Sequence, residues 1–200
     1  MKVRELAIAG AWELTPVVHA DARGAFFEWF TDASFTEATG HRLDLRQANC
    51  SVSQAGVLRG VHFAQLPPSQ AKYVTCVGGA VYDVVVDIRV GSPTFGRWDA
   101  VTLDDQTHRA VYLSEGLGHA FLALQDNSVV TYLCSAGYDP AREHTISPLD
   151  AELAIEWPFD DELLLSDRDR AAPSLAQAHD SGLLPTWQET QAFTEDLRRR

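Results

Sequence analysis

The ten residues Ala80-Val81-Tyr82-Asp83-Val84-Val85-Val86-Asp87-Ile88-Arg89 divide their side chains with a period of two. The even positions Ala80, Tyr82, Val84, Val86 and Ile88 form a largely apolar face, and the odd positions Val81, Asp83, Val85, Asp87 and Arg89 form a mixed face that carries charge. That period belongs to a strand and does not fit a helix. The surrounding text repeats the theme. Lys72–Val77 reads as a strand, with Gly78-Gly79 as a hairpin turn into the stretch just described. Asp126-Asn127-Ser128 reads as a similar turn between His119–Leu124 and Val129–Ser135, and Asp21-Ala22-Arg23-Gly24 as another ahead of Phe26–Phe30. Many short strands at regular spacing predict an all-β chain folded as an antiparallel sandwich or barrel. The strand–helix alternation of a nucleotide-binding parallel sheet is missing, and so is any G-x-G-x-x-G or G-x-x-x-x-G-K-[ST] loop. Neither a Rossmann nor a P-loop route to a nucleotide is open.

Two hundred residues, 46% of them hydrophobic, suit a single domain spanning 1–200. The strand-rich part runs from about 10 to 146, and an irregular and helical segment occupies 147–200. Residues 32–40 (DASFTEATG) predict a short helix closed by Gly40, and Pro173–Ala178 begins another. The last fifteen residues are either a further helix or a frayed tail. A net charge of −12 repels phosphate backbones and argues against nucleic-acid partners, while leaving room for a small anion held by local arginines. No apolar run reaches the ~18–20 residues of a membrane span, and Glu5 interrupts the short apolar stretch at the N-terminus. Cys50, Cys76 and Cys134 are far apart and form no C-x-x-C. They read as buried small hydrophobes in a reducing cytoplasm. Of sixteen basic residues only Lys2 and Lys72 are lysines, so a mid-chain ammonium at 72 stands out against an arginine bias.

Chemistry concentrates in a few segments. In Leu58-Arg59-Gly60-Val61-His62-Phe63, Arg59 and His62 would face opposite ways on a regular strand; a bulge at Gly60 would turn both toward one cavity. A histidine base followed after a turn by the Lys72 ammonium makes a pair suited to proton abstraction. A metal-binding barrel of this kind would want a His-x-His pair, but Ala64 stands two residues after His62, and His62 with His119 leaves the ligand set short. No metal is expected. The glycines of Glu115-Gly116-Leu117-Gly118-His119 either allow a tight turn or bring His119 close to a ligand. Tyr132 shares a strand face with Val130 and Cys134, and alternation alone leaves open which face lines a cavity. Asp167-Arg168-Asp169-Arg170 reads on its own as a solvated charge run.

Taken in order, these segments resemble the dTDP-4-dehydrorhamnose 3,5-epimerase family. The matching text is Asp21-x-Arg23-Gly24-x-Phe26-x-Glu28, Gln47-x-Asn49, Gly56–Phe63, Pro67-Pro68-x-Gln70-x-Lys72, Asp83–Arg89, Ser92-Pro93-Thr94-Phe95-Gly96-x-Trp98, Gly118-His119-Ala120-Phe121, Tyr132, Tyr138-Asp139-Pro140 and Leu165–Asp169. It covers about residues 5 to 185, and each piece is weak while the ordered set is specific. Within the family the chain looks most like actinomycete members that epimerise deoxysugars for glycosylated antibiotics.

The resemblance implies a cupin-like jelly-roll barrel with short peripheral and C-terminal helices, a homodimer, no cofactor, and a dTDP-4-keto-6-deoxyhexose as substrate. It implies His62 as base, Asp169 orienting it, Lys72 stabilising an enolate oxygen and Tyr132 donating a proton across the ring. Arg23, Arg59 and His119 would meet the diphosphate, with Arg168 in the same region. Glu28, Gln47 and Asn49 would meet thymine or sugar edges, beside Phe26, and Tyr138 would stack on the base. Asp83 would lie in the same cavity. Two departures from the usual family text, Gln47-Ala48-Asn49 and Gly118-His119-Ala120, fall near the site. They leave C3, C5 or both open as the position of reaction. The competing expectations are a 3,4-ketoisomerase on the same sugar, a non-catalytic sugar-nucleotide-binding protein, and more remotely a metal-dependent oxygenase.

Overall fold

A computed structural model describes residues 1–200. Thirteen strands run in the order β1 (Lys2–Glu5), β2 (Ala11–Thr15), β3 (Val18–Asp21), β4 (Gly24–Phe27), β5 (Gln47–Ser53), β6 (Leu58–Ala64), β7 (Lys72–Gly78), β8 (Ala80–Val86), β9 (Trp98–Asp104), β10 (Ala110–Leu113), β11 (Gly118–Ala123), β12 (Ser128–Cys134) and β13 (Glu143–Thr145). The helices are α1 (Asp32–Thr39), α2 (Asp167–Arg170), α3 (Leu175–Asp180) and α4 (Trp187–Arg199). Two antiparallel sheets face each other, one ordered β1-β2-β10-β7-β12-β5 and the other β13-β6-β11-β8-β9. The expected jelly-roll architecture is the one found.

The two faces of β8 are both used. Val81 and Val85 enter the core between the sheets, with Val74, Cys76, Val111, Leu113 and Val130 from the six-stranded sheet and Val101, Leu103 and Phe121 from the five-stranded one. Val84 and Val86, on the other face, join Val61, Phe63, Ala120 and Ile146 beneath Leu153, Leu175, Ala178 and Leu184 of the C-terminal segment. That segment therefore seals the outside of the second sheet. The outside of the first is sealed in part by α1, whose Phe35 packs on Leu14, Tyr73 and Tyr112. Thr31 caps α1 at its start and Gly40, at φ 79°, closes it as the sequence predicts.

Three expectations are corrected. Gly78-Gly79 is not a hairpin turn: β7 pairs with β10 and β12 while β8 pairs with β11 and β9, so the chain crosses there from one sheet to the other. Asp126-Asn127-Ser128 likewise carries the chain from β11 back to β12 in the opposite sheet. Both turns reverse the chain, but the strands they join do not bond each other. Cys76 and Cys134 are buried, whereas Cys50 is exposed, because it lies on the outward face of β5. The turn over Asp21–Gly24 is a true hairpin, with Asp21 opposite Gly24. At the C-terminus, α3 starts at Leu175 after the Ser174 cap, two residues later than Pro173, and α4 is a complete helix with a capping box of Thr186 and Glu189.

Candidate active site

The polar end of the barrel interior is built by register. On β12, Tyr132 packs against the inner core and lies opposite Asn49 of β5 and Val74 of β7. Residues directly opposite in an antiparallel pair share a face, so Tyr132, Asn49, Gln47, Cys134 and Lys72 all belong to the inner face of the first sheet. On the second sheet His119 lies opposite Val85, an inner-core residue, and opposite His62 of β6. Arg59 pairs with Phe121, two residues from His119, although Arg59 and His62 are three apart; β6 therefore carries one extra residue. The bulge expected at Gly60 is present, and it puts Arg59 and His62 on the same face. The alternation that left Tyr132 undecided is settled by its neighbours: the Val130/Cys134 face is the inner one.

His62 Nε2 lies 2.7 Å from Asp169 Oδ1. Asp169 is 3% exposed and sits on the four-residue helix α2, where the Ser166 side chain accepts from its backbone N–H. Burial alone would raise the Asp169 carboxyl. The His62 hydrogen bond and charge, with Ser166 and the Gly60 N–H, outweigh burial and hold it below the ordinary carboxylate value. An ionised Asp169 fixes the proton on Nε2 and leaves Nδ1 of His62 as the basic nitrogen. The isolated reading of Asp167–Arg170 as a solvated run is thus corrected at Asp169. The signal that sequence reasoning passed over is Ser166-x-x-Asp169, a helix-start pattern that anchors the carboxylate.

Lys72 is 7% exposed, and burial pulls its ammonium below the ordinary lysine value against the opposing charges of Cys134, Glu143 and Glu115. Burial raises the Tyr132 phenol, chiefly by desolvation, with Arg59 acting in the opposite direction. His119 Nε2 bonds Asp83 Oδ2 at 2.8 Å, both nearly inaccessible, so Asp83 does lie in this region, committed to His119. Gln47 Nε2 donates to Asn49 Oδ1 (2.8 Å), and Asn49 Nδ2 lies 3.6 Å from Cys134 Sγ. The Gln47 Oε1 accepts from Tyr138 N–H at 2.9 Å, which holds the exposed Tyr138 at the mouth. Arg59 is anchored by Ser53 Oγ at 3.2 Å. A cavity of about 380 Å³ opens beside His62, lined by Arg59, Leu165, Arg168 and Asp169 among others. Arg168 is exposed there and donates to the Glu143 carbonyl. No three His, Cys, Asp or Glu side chains converge into a cluster.

Of the expected residues Arg59, His62, Arg168 and Asp169 line this cavity, Lys72, Tyr132, Gln47, Asn49, His119 and Asp83 stand on the inner strand faces described above, and three are not brought to the barrel's polar end within one chain. Arg23, Phe26 and Glu28 lie on and just beyond the β3–β4 hairpin, a two-stranded sheet of its own whose Phe27 stacks on His108. The Arg23 side chain is 90% exposed and bonds only Asp21, and Phe26 is 67% exposed.

The profile of the dTDP-4-dehydrorhamnose 3,5-epimerase family matches residues 5–177. The chain is 71% identical over 199 residues to a dTDP-4-dehydrorhamnose 3,5-epimerase of Mycolicibacterium smegmatis, covering 100% of this chain and 98% of that one. It is 57% identical to a dTDP-4-dehydrorhamnose 3-epimerase of Streptomyces niveus, over 97% of this chain and 93% of that protein. Among solved structures, the RmlC epimerase of Mycobacterium tuberculosis superposes with a TM-score of 0.97 at 65% identity, covering 98% and 100% of the two chains. ChmJ, a 3'-monoepimerase from Streptomyces bikiniensis in complex with dTDP-quinovose, superposes at 0.95 with 54% identity, covering 98% of each. Likeness of that extent, carried by a barrel whose polar end gathers His62 on a buried Asp169, a buried lysine and a tyrosine, makes the chain a member of the dTDP-4-dehydrorhamnose 3,5-epimerase family.

Proposed function

We propose that this enzyme inverts a dTDP-4-keto-6-deoxyhexose at C3 and C5 without a cofactor. The observation that carries the reading is His62, oriented by Asp169, on one wall of the barrel, with Lys72 and Tyr132 on the facing wall. The C4 ketone acidifies the hydrogens on its neighbours. His62 Nδ1 takes one of these protons, and the electron pair of the broken C–H bond moves into an enolate whose oxygen faces the Lys72 ammonium. The Tyr132 phenol, held protonated by its burial, then delivers a proton to the opposite face of the same carbon. Imidazolium and phenolate return to their starting states by exchange with water, so each inversion is balanced. Asp169 stabilises the imidazolium between these events. Relatives at 71% and 66% identity bear the 3,5-epimerase name, which favours two inversions over one.

The remaining polar residues hold the nucleotide: Arg59 and His119 at the diphosphate with Arg168 nearby, Gln47 and Asn49 at thymine or sugar edges, and Tyr138 on the base. Arg23, Phe26 and Glu28 complete the site of a second copy. On that hairpin Arg23 and Phe26 face solvent while Phe27 stacks on His108 with ring centroids 4.0 Å apart, and the outer face of the first sheet leaves Val52 and Val77 exposed. A homodimer in which each hairpin reaches its partner's barrel accounts for both. Three unpaired cysteines suit a reducing compartment, and we place the protein in the cytoplasm.

Proton NMR of dTDP-4-keto-6-deoxyglucose with the protein in deuterated water tests the reaction. Deuterium at both C3 and C5 is the expected result. Deuterium at C3 alone identifies a mono-epimerase, the second reading, which the Streptomyces niveus relative favours. A shifted carbonyl identifies a ketoisomerase, and dTDP binding without exchange identifies a binding protein.

A further inference from the structure

Glu115 lies in the turn between β10 and β11, 5% exposed and outside the machinery described above. In the sheet, Lys72 sits between Leu113 of β10 and Cys134 of β12. The chain just beyond those two neighbours closes over the start of β7. Ala71 N–H donates to Ser135 Oγ at 2.8 Å, and the Ser135 hydroxyl donates to Glu115 Oε1 at 2.7 Å. Ser135 N–H returns to the Ala71 carbonyl, and Gly116 N–H donates to Ser69 Oγ at 3.0 Å. The turn is thus fastened to the residues leading into Lys72 at two points. The other carboxylate oxygen of Glu115, Oε2, is buried with no protein partner.

Burial raises the Glu115 carboxyl above its ordinary value, and a buried, half-satisfied carboxylate is costly unless a nearby cation compensates its charge. The buried carboxylates Asp169, Asp87 and Asp83 are each paired with a basic side chain, His62, Arg89 and His119 respectively, and Lys72 belongs to none of these pairs. The ionisable groups acting on Lys72 are the Cys134 thiol on β12, Glu143 on β13 and Glu115 in the turn. Glu143 is half-buried on an edge strand, where water screens it, and Cys134 is a neutral thiol near pH 7 because burial raises it. On its far side Glu115 is faced by His41 and Tyr112. We propose that Glu115 is a positioning residue: through Ser135 it fixes the start of β7, and its negative charge keeps the Lys72 ammonium protonated while no substrate oxyanion faces it. This rests on the enolate role assigned to Lys72 above.

Glu115→Gln keeps an oxygen for the Ser135 hydroxyl and removes the charge. The expected result is a roughly tenfold lower kcat with KM nearly unchanged, and an alkaline limb of the kcat–pH profile displaced about one unit toward lower pH. The direction follows because an ammonium that loses a nearby negative charge gives up its proton more readily. A purely structural Glu115 would lower the melting temperature and leave the limb where it is, and that outcome overturns the proposal. In a Lys72→Met background the same change should cost less than about twofold, whereas the full loss there also overturns it. If Glu115→Gln does not fold, Ser135→Ala is read on the same limb: a smaller displacement in the same direction supports the proposal and an unmoved limb overturns it. A Lys72→Met enzyme that keeps its turnover overturns the enolate role itself; a dead one beside an unaltered Glu115→Gln overturns only the role of Glu115.

Discussion

At Gly60 the backbone φ is 115°, and a Cβ there would meet the His119 carbonyl oxygen at 2.5 Å and Ala120 Cα at 2.7 Å. The bulge that aims Arg59 and His62 inward therefore depends on the absence of a side chain. Gly60→Ala should cost about 2–4 kcal/mol, from backbone strain and overpacking, measured as a lower denaturant midpoint. It should also reduce turnover of whatever folded enzyme remains, since His62 is two residues away. Asp169→Asn tests a different quantity. The amide keeps nearly the same volume but offers His62 no negative charge and can hold the wrong tautomer. A loss of about 10³–10⁴-fold in kcat/KM with an unchanged circular dichroism spectrum is expected. Gly60 was legible in sequence for a local reason, as a bulge signal; Asp169 was legible only through family resemblance, because a run of alternating Asp and Arg looks solvated until Ser166 is recognised as its cap.

At the level of elements, α4 shows how a polar helix is held on. Arg89 is 3% exposed, bonds Asp87 through two nitrogens at 2.8 Å, and stacks 4.5 Å from the centroid of the Trp187 ring. Ser92 and Thr94 hydroxyls complete the Asp87 carboxylate. The Thr186–Glu189 capping box then starts the helix at that anchor. Thr186→Ala should lower stability by about 1 kcal/mol, seen as a lower melting temperature and faster amide exchange confined to 187–199. The sequence left this segment open between helix and tail, because its own pattern is mostly polar and the anchoring arginine is about a hundred residues away. The misread turns have a related cause. A Gly-Gly or Asp-Asn-Ser step specifies that the chain reverses, through positive φ at Gly79 and Asn127. It does not specify whether the next strand bonds its predecessor or crosses to the facing sheet. Strand existence and face were legible from β8 alone; strand partners were not, since partner choice is made by the assembled core.

For the whole molecule, acid is the informative perturbant. Asp87 feels burial raising its carboxyl and, more strongly in sum, Arg89, Ser92 and Thr94 lowering it, so its folded value lies below the ordinary 3.8. Asp169 is also lowered. Carboxyls lowered on folding contribute stability that is complete above the unfolded value and disappears as pH falls through the folded one. Unfolding free energy should therefore drop steeply below about pH 4, and Asp87→Asn should flatten that drop in urea titrations across the same range. Glu115, raised by burial, runs the other way and relieves its own penalty on protonation.

The proposed exchange of the β3–β4 hairpin between two copies has a genetic consequence. A site assembled from one copy's barrel and another copy's arm can be broken in two separable ways. In the proposed homodimer His62→Ala should kill the barrel part and Arg23→Ala the arm part, yet a mixed pair of such chains would contain one site with neither lesion. Co-refolding the two inactive variants in equal amounts should restore about a quarter of the wild-type sites, while two barrel variants, such as His62→Ala with Lys72→Met, should restore none. Recovery from two dead proteins would make the unit of function the pair.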